Sequence, residues 1–528
     1  MKNKKIIIVI FFLLSLVLLY AQNTMNQLAY LEGEQPRSWF GNTLAALDFN
    51  GDGYDDLVVS SPAINYTGRL YFYLGAEEFD DQVDFTLSGV LSNYLASYLT
   101  NIGDINGDGC EDLGYSCIDF DSLYINILLG NTEQDTIPSF VISRYELDYR
   151  GFTIRPLGDI NNDGYDDVGI TWAPSDFHNE LLEYYILWGD NDITEPQYFC
   201  ECGHNIAGFS GVGDVNNDGF DDFCLGYGYS IYTGTNKLCF GGETVDTLNS
   251  VVLWDDEVMN MTLGLAAGDL NNDGFADFGG HFYSDVDIWL GNENITSNYD
   301  ITLMYGTGGG IQDFGFDYGD LNNDGFSDMV LGSPNWGLNG AAFLYLGNET
   351  PNNTVDIEFE EPPGVHHQFG RAVAIGSFDG DEYEDLAIAG PGETSTGPNP
   401  GYVYVLAGNG DLEDLVDVEE NEIPSIKEIT FNVYPNPFNP IINFEIKLTT
   451  SLRQGYAGQA EFTESMEIQI YNVKGQKVKT VPIVLSSPSH QVSITWNAEK
   501  QPSGVYFCKL INVEDSKVLS IKKVTLLK

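Results

Sequence analysis

One nine-residue string, D-x-N-x-D-G-x-x-D, constrains the fold of this chain more than any other feature. It reads "DFNGDGYDD" at 48–56, "DINGDGCED" at 104–112, "DINNDGYDD" at 159–167, "DVNNDGFDD" at 214–222, "DLNNDGFAD" at 269–277 and "DLNNDGFSD" at 320–328. A worn seventh copy, "SFDGDEYED", occupies 377–385. The six steps from position 48 to position 377 average about 55 residues. A regular period of this size marks a repeat architecture, in which each unit buries its apolar surface against its neighbours.

Each copy keeps the same company. A short apolar run follows it, such as "DLVVSSP" (56–62) or "DMVLGSP" (328–334), and a second run then ends in glycine, as in "LYFYLG" (70–75) or "INILLG" (125–130). A polar turn leads to a further run such as "DFTLSG" (84–89) or "VDIEFE" (355–360). Runs of four to seven β-branched and aromatic residues between Gly and Asn read as strands. No segment beyond the N-terminal apolar run sustains the 3.6-residue period of a helix. About four short strands per unit, seven times over, predict an all-β fold with a seven-bladed β-propeller spanning 25–417. The N-terminal "NQLAYLEGE" (26–34) resembles the outer-strand segments, and the last repeat ends after "GYVYVLAGNG" (401–410) without one. The N-terminal strand is therefore expected to complete the seventh blade.

The string itself is a ligand pattern. Carboxylates or amides at positions 1, 3, 5 and 9, with glycine at 6, place hard oxygen donors on a tight turn, and the carbonyl at position 7 can add another. That is calcium chemistry, like the first nine positions of an EF-hand loop. The expected donors of the first loop are Asp48, Asn50, Asp52, Asp56 and the Tyr54 carbonyl. The second has Asp104, Asn106, Asp108, Cys110 and Asp112; the third Asp159, Asn161, Asp163, Tyr165 and Asp167. The fourth has Asp214, Asn216, Asp218, Phe220 and Asp222; the fifth Asp269, Asn271, Asp273, Phe275 and Asp277. The sixth has Asp320, Asn322, Asp324, Phe326 and Asp328. The seventh keeps Asp379, Asp381 and Asp385, but has Ser377 at position 1 and Glu382 in place of the glycine. About six calcium ions are expected, or seven if the seventh loop, whose donor set is incomplete, also takes one. Asp, Asn and Gly also dominate metal-free turns, but the donor positions do not vary among the first six copies. A true EF-hand needs a glutamate at position 12 and flanking helices. Here position 12 is Val59, Tyr115, Ile170, Leu225, Gly280, Leu331 or Ile388, each in or beside an apolar strand. Lacking that glutamate, the loops should bind calcium in the weak extracellular range, roughly 10⁻⁴–10⁻³ M.

Charge separates the chain into parts. It holds 22 Lys+Arg against 79 Asp+Glu, and residues 25–424 carry 7 of the former and 71 of the latter. Such a surface repels phosphate backbones, so nucleic-acid partners are not expected. Disorder is excluded by the abundance of Tyr and Phe, 31 of each. The seven nine-residue windows contain 27 of those acids, so metal sites account for only part of the charge. From 425 onward the balance reverses to 12 basic and 8 acidic residues, after the acidic stretch "DLEDLVDVEENEIPS" (411–425).

With these residues in view, the chain resembles two known families. Phe40-Gly41 before the first loop and Ser61-Pro62 after it look like the FG-GAP repeat of integrin α-subunit propellers. So do Phe314-Gly315 with Gly332-Ser333-Pro334, and Phe369-Gly370 with Gly390-Pro391. The Phe-Gly and Gly-x-Pro parts are degraded in repeats 2 to 5. The resemblance implies a propeller whose calcium loops rigidify one face and leave the other for ligands. The segment 429–528, beyond a linker at 418–428, runs "VYPNPFNPIINFEI", "IQIYNVKGQKVKTV", "ITWNAEKQPSGVYFCKL" and "IKKVTLLK". Its period-2 alternation suggests a small antiparallel sandwich. Its motif order is similar to the type A sorting domain of the type IX secretion system, with an apparent insertion at 451–464. That implies the type IX machinery as partner, passage through the outer membrane, and release or attachment at the cell surface.

The start, "MKNKKIIIVIFFLLSLVLLYAQ", has the lysines, the apolar run Ile6–Leu19 and the small residue Ala21 of a secretory signal peptide over 1–21. Seven cysteines are too few for a disulfide scaffold in 528 residues and read mainly as structural. No nucleophile elbow, phosphate-binding loop or HExxH string is present, and the six histidines share no spacing with a nucleophile. No catalytic residue is assigned. The leading expectation is a non-catalytic adhesion or binding module for extracellular glycans or proteins. The alternative is a secreted polysaccharide hydrolase or lyase on the same scaffold. Trp172, Trp254 and Trp336 could stack on sugars, although such residues more often pack between blades.

Overall fold

The computed structural model describes residues 25–64, 67–89, 94–119, 122–132, 137–145, 149–174, 181–202, 208–230, 233–256, 261–282, 285–304, 315–334, 340–361, 368–392, 400–412, 428–435, 439–449, 464–474, 476–485, 491–512 and 518–527. The signal-peptide segment, most of the linker and nearly all of the 451–464 insertion lie outside these residues. The chain divides into two compact units, Met1–Val416 and Asp417–Lys528.

Every regular element among the described residues is a strand. The first unit contains seven four-stranded antiparallel sheets, here blades 1 to 7. Blade 1 runs Leu44–Leu47, Asp56–Ser61, Arg69–Tyr73 and Phe85–Ser88 from inside to outside. The innermost strands of blades 2 to 7 are Tyr94–Asn101, Tyr149–Gly158, Phe209–Gly213, Met261–Gly268, Phe316–Gly319 and Ala372–Gly376. Each packs on the next, and Ala372–Gly376 packs back on Leu44–Leu47, so the ring is closed. The closing strand is the expected one: Asn26–Glu32 pairs antiparallel with Tyr402–Ala407 and forms the outer edge of blade 7. Ala29 and Leu31 are buried there, which fixes the register, because a one-residue slip would turn both to solvent.

The core lies in the seams between blades. Each of seven buried apolar clusters draws on two neighbouring blades. Leu47, Phe49, Phe72, Leu99, Leu113 and Tyr115 join blades 1 and 2, for example, and Leu321, Val330, Leu344, Ile375, Leu386 and Ile388 join blades 6 and 7. The second strand of a blade, as in Asp56–Ser61 and Asp328–Ser333, is therefore buried along its whole length, whereas the outer strand Phe85–Ser88 alternates. Burying each large apolar side chain in a seam contributes about 1.5–3 kcal/mol. Trp172 is fully buried in the seam of blades 2 and 3, packing rather than offering a sugar platform. The side chains of Trp254 and Trp336 lie outside the description.

The Phe-Gly dipeptides also belong to the seams. Phe40 is buried edge-on against Tyr71, with 5.2 Å between ring centroids. Gly41, at φ 83°, abuts Ala389, Tyr402 and Val403 of blade 7, where any side chain would crowd the neighbouring backbone.

The second unit is a sandwich of two sheets. One orders Glu428–Tyr434, Ile441–Thr449 and Gln491–Asn497; the other orders Lys477–Leu485, Glu464–Asn472, Gly504–Asn512 and Val518–Leu526. Ile442, Phe444, Ile468, Ile470, Trp496, Tyr506, Leu510 and Val524 fill its interior.

Candidate metal loops

Every D-x-N-x-D-G-x-x-D turn joins the innermost strand of its blade to the second strand. The seven innermost strands share one direction around the ring, so the seven turns lie on one face.

The turns owe their shape to two left-handed residues. Position 4 has positive φ in all seven, as Gly51, Gly107, Asn162, Asn217, Asn272, Asn323 and Gly380, with values from 52° to 71°. Asn and Gly are the residues that adopt this region at least cost. At position 6, Gly53, Gly109, Gly164, Gly219, Gly274 and Gly325 have φ from 87° to 92°. Glu382 has no such φ, so the seventh turn departs from the other six at that point.

Folded this way, the turn wraps backbone N–H groups around its acids. The position-1 carboxylate accepts from the N–H groups of positions 5 and 6. In the sixth loop Asp320 Oδ1 takes Asp324 N at 3.1 Å and Asp320 Oδ2 takes Gly325 N at 2.9 Å. The same pair recurs at Asp48, Asp104, Asp159, Asp214 and Asp269. Asn50, Asn106, Asn161, Asn271 and Asn322 accept from the position-5 N–H at 2.8–3.2 Å. The position-5 carboxylates accept from the N–H of position 7, as Asp52 does from Tyr54 and Asp324 from Phe326, each at 3.0 Å.

Position 9 is different in kind. Asp56, Asp112, Asp167, Asp222, Asp277, Asp328 and Asp385 are all fully buried. Each Oδ1 accepts the N–H of the glycine that closes the third strand: Gly75, Gly130, Gly189, Gly241, Gly291, Gly347 and Gly408, at 2.7–3.1 Å. The Oδ2 of Asp112, Asp222, Asp277, Asp328 and Asp385 accepts the N–H of position 2. The position-9 aspartate is thus a structural pin as well as a candidate ligand, a role the spacing alone did not disclose. The glycine ending each third-strand run was the available signal. Burial, then the charges at positions 1 and 5 (positions 3 and 5 for Asp385), push these carboxyls up, to about 8 for Asp56, Asp112, Asp167, Asp222 and Asp328 and about 7 for Asp277 and Asp385. Backbone N–H groups oppose the shift without cancelling it.

Among the described residues, no three His, Cys, Asp or Glu side chains converge into a ready-made metal centre. The loop acids are turned onto backbone N–H groups, and the expected donor set includes Asn and carbonyl oxygens besides. Unmet demand is visible in three places. Asp56 Oδ2, Asp167 Oδ2 and Asn216 Oδ1 are buried without a hydrogen-bond partner, and an uncompensated buried acceptor is costly. Each carboxylate oxygen holding one N–H keeps a further lone pair. An all-oxygen set on a tight turn fits a hard divalent cation. In the seventh turn Asp379 accepts from Asp381 N at 3.0 Å and Asp381 from Tyr383 N at 2.8 Å, but Ser377 brings no carboxylate.

Of the thiols, Cys224, Cys239 and Cys508 are buried outside any disulfide, and burial pushes Cys239 and Cys508 up to about 12. They are packing residues.

Comparison with known proteins agrees with this architecture. The FG-GAP repeat model matches residues 40–73 and 369–406, in blades 1 and 7, where the Phe-Gly dipeptide is intact. The secretion system C-terminal sorting domain model matches residues 432–525. Integrin alpha-4 of Xenopus laevis is 29% identical over 251 residues, 44% of this chain and 22% of its own length. Integrin alpha-PS5 of Drosophila melanogaster is 42% identical over 81 residues, 14% of this chain and 8% of its own. The chain thus spans about a fifth or less of these relatives. Among solved structures, the exotype rhamnogalacturonan lyase YesX aligns at 12% identity with a TM-score of 0.39, covering 72% of this chain and 76% of its own. The chain carries FG-GAP repeats in an all-β propeller, followed by a type IX sorting domain. It is therefore exported by type IX secretion, to the medium or the outer surface, and its sorting domain engages that machinery.

Proposed function

We propose that this protein is a calcium-stiffened surface or secreted propeller that binds extracellular glycans or proteins without catalysis. The signal peptide would be 1–21, the propeller 25–417, the linker 418–428 and the sorting domain 429–528. In the first six turns the cation would be held by the side chains at positions 1, 3, 5 and 9 and the carbonyl at position 7, from Asp48–Asp56 to Asp320–Asp328. When bound, the cation neutralises carboxylates that otherwise face one another. The observation that carries this reading is the six-fold placement of one donor pattern on one face, with buried acceptors such as Asp56 Oδ2 left unsatisfied. The divalent-cation loops of integrin α propellers support it. The chain's own residues make the turn rigid: position 9 pins it to the third strand, and positions 4 and 6 set its curvature. Ligand contact would fall to the opposite face, whose loops are only partly among the described residues.

A glycan and extracellular-protein array, run on the full chain in calcium and in chelator beside a reducing-end release assay on polysaccharides, tests the proposal. Calcium-dependent retention without product supports it. Release of product would replace it with the polysaccharide-degrading alternative.

A further inference from the structure

We infer that position 8 of each turn is a positioning residue for the loop of the preceding blade, and that the fourth loop, facing Ala276, is the weakest of the six complete cation sites. This rests on the reading of the turns as cation loops. Position 8 is Asp55, Glu111, Asp166, Asp221, Ala276, Ser327 or Glu384, a series the D-x-N-x-D-G-x-x-D pattern leaves open.

The geometry repeats from seam to seam. Asp48 N donates to Glu111 Oε2 at 2.9 Å, Asp104 N to Asp166 Oδ2 at 2.8 Å and Asp159 N to Asp221 Oδ2 at 2.9 Å. Asp269 N donates to Ser327 Oγ at 3.0 Å, and Asp320 N donates to Glu384 Oε2. The last link crosses the closure of the ring, with Ser377 N donating to Asp55 Oδ2 at 2.7 Å. Each link is answered by a return bond, in which the position-8 N–H donates to the position-1 carbonyl of the preceding blade at 2.9–3.3 Å. The residue so clasped is the one whose carboxylate gathers the position-5 and position-6 N–H groups. Its placement sets the mouth of the loop.

The glycine before each motif is part of the same device. A Cβ at Gly103, Gly158, Gly268 or Gly319 would collide with the side chain of Asp166, Asp221, Ser327 or Glu384 respectively. The "GD" that opens most copies is thus the cradle for the next blade's clasp. The clasp carboxylates Asp55, Glu111, Asp166 and Glu384 also line the central cavity of about 560 Å³, but each is already spent on a backbone N–H.

One seam has the cradle without the clasp. Gly213 precedes the fourth motif at φ 76°, and a Cβ there would meet Ala276 Cβ at 2.8 Å. Ala276 keeps the return bond to the Asp214 carbonyl at 3.0 Å but offers no side-chain acceptor for the Asp214 N–H. The fourth loop is therefore held on one side only.

Peptide-resolved hydrogen exchange of the full chain across a calcium chloride titration tests this. The calcium midpoint for protection of 212–223 should be the highest of the six loops. Ala276→Asp, which fills an existing cradle, should lower it about tenfold, the gain expected of one hydrogen bond to a charged group. Asp166→Ala should raise the midpoint of 104–112 about tenfold, Asp166→Asn should restore most of it, and 320–328 should not move. An unchanged midpoint in Ala276→Asp, or a uniform shift of all loops in Asp166→Ala, overturns the inference. Should Asp166→Ala fail to fold, the Ala276→Asp arm decides. If no loop responds to calcium, the cation reading fails instead. Exchange in chelator then judges the clasp alone, and equal rates at 212–223 and 157–168 would sink it.

Discussion

The turns of blades 6 and 7 share a frame and differ in content. Both place a left-handed residue at position 4, Asn323 and Gly380, and both bury the position-9 aspartate on the glycine that ends the third strand. Only the sixth has a carboxylate at position 1 and a left-handed glycine at position 6. What persists in the worn copy is what the blade needs to fold; what is lost is the position-1 carboxylate and the position-6 glycine of the donor pattern. The contrast separates two roles that the motif superimposes.

The strongest way to break this contrast is to remove calcium. Chelation should lower the melting temperature of the propeller in the full chain by more than about 10 °C, since six sites each loaded well above their dissociation constants stabilise by a few kcal/mol apiece. Exchange protection should fall in the six complete loops and not at 377–385, and the sorting domain's transition should stay in place, because its core is apolar. A calorimetric scan with and without chelator checks both, and a single shift common to the two transitions would refute the assignment.

Next in size are the pins. Asp328→Ala and Asp385→Ala should each cost roughly 3 kcal/mol in chelator, because either leaves two buried N–H groups without an acceptor. Equal losses in urea denaturation would show that position 9 belongs to the fold in both blades. A silent Asp385→Ala would show that it does not.

The contrast can also be erased. Ser377→Asp combined with Glu382→Gly should give the seventh turn a complete donor set and add one ion to the stoichiometry measured by titration calorimetry. Asp320→Asn should weaken the sixth site while leaving the fold within about 1 kcal/mol, as befits a substitution away from the core.

A further test of the same contrast is pH. In the cation-free ring the buried position-9 carboxyls titrate near 7 to 8, above the ordinary range of about 4 in an unfolded chain. The folded state then binds more protons between those limits, so stability without calcium should rise as pH falls from about 8 toward 4. With calcium the trend should reverse, because protons compete for the same oxygens. Melting curves in chelator that climb with pH would contradict the burial of these groups.

The blade spacing, the placement of the turns and the N-terminal closing strand could all be read from the string of residues, because each follows from a local pattern that recurs along the chain. So could the sandwich, from its alternation. The seams could not: Phe40, Trp172 and Leu321 are apolar residues whose partners lie on another blade, and nothing local says which. The same holds for position 8. Asp166 looks like one more acid in an acidic loop until the ring closes and brings it to the Asp104 N–H of the neighbouring blade. Sequence by itself determined the repeat, the strand-to-strand place of the turns and the route of export, since these depend on neighbours in the chain. Tertiary structure decided which acids serve the fold, since a carboxylate's role is set by the N–H groups that surround it, and those come from three strands and two blades.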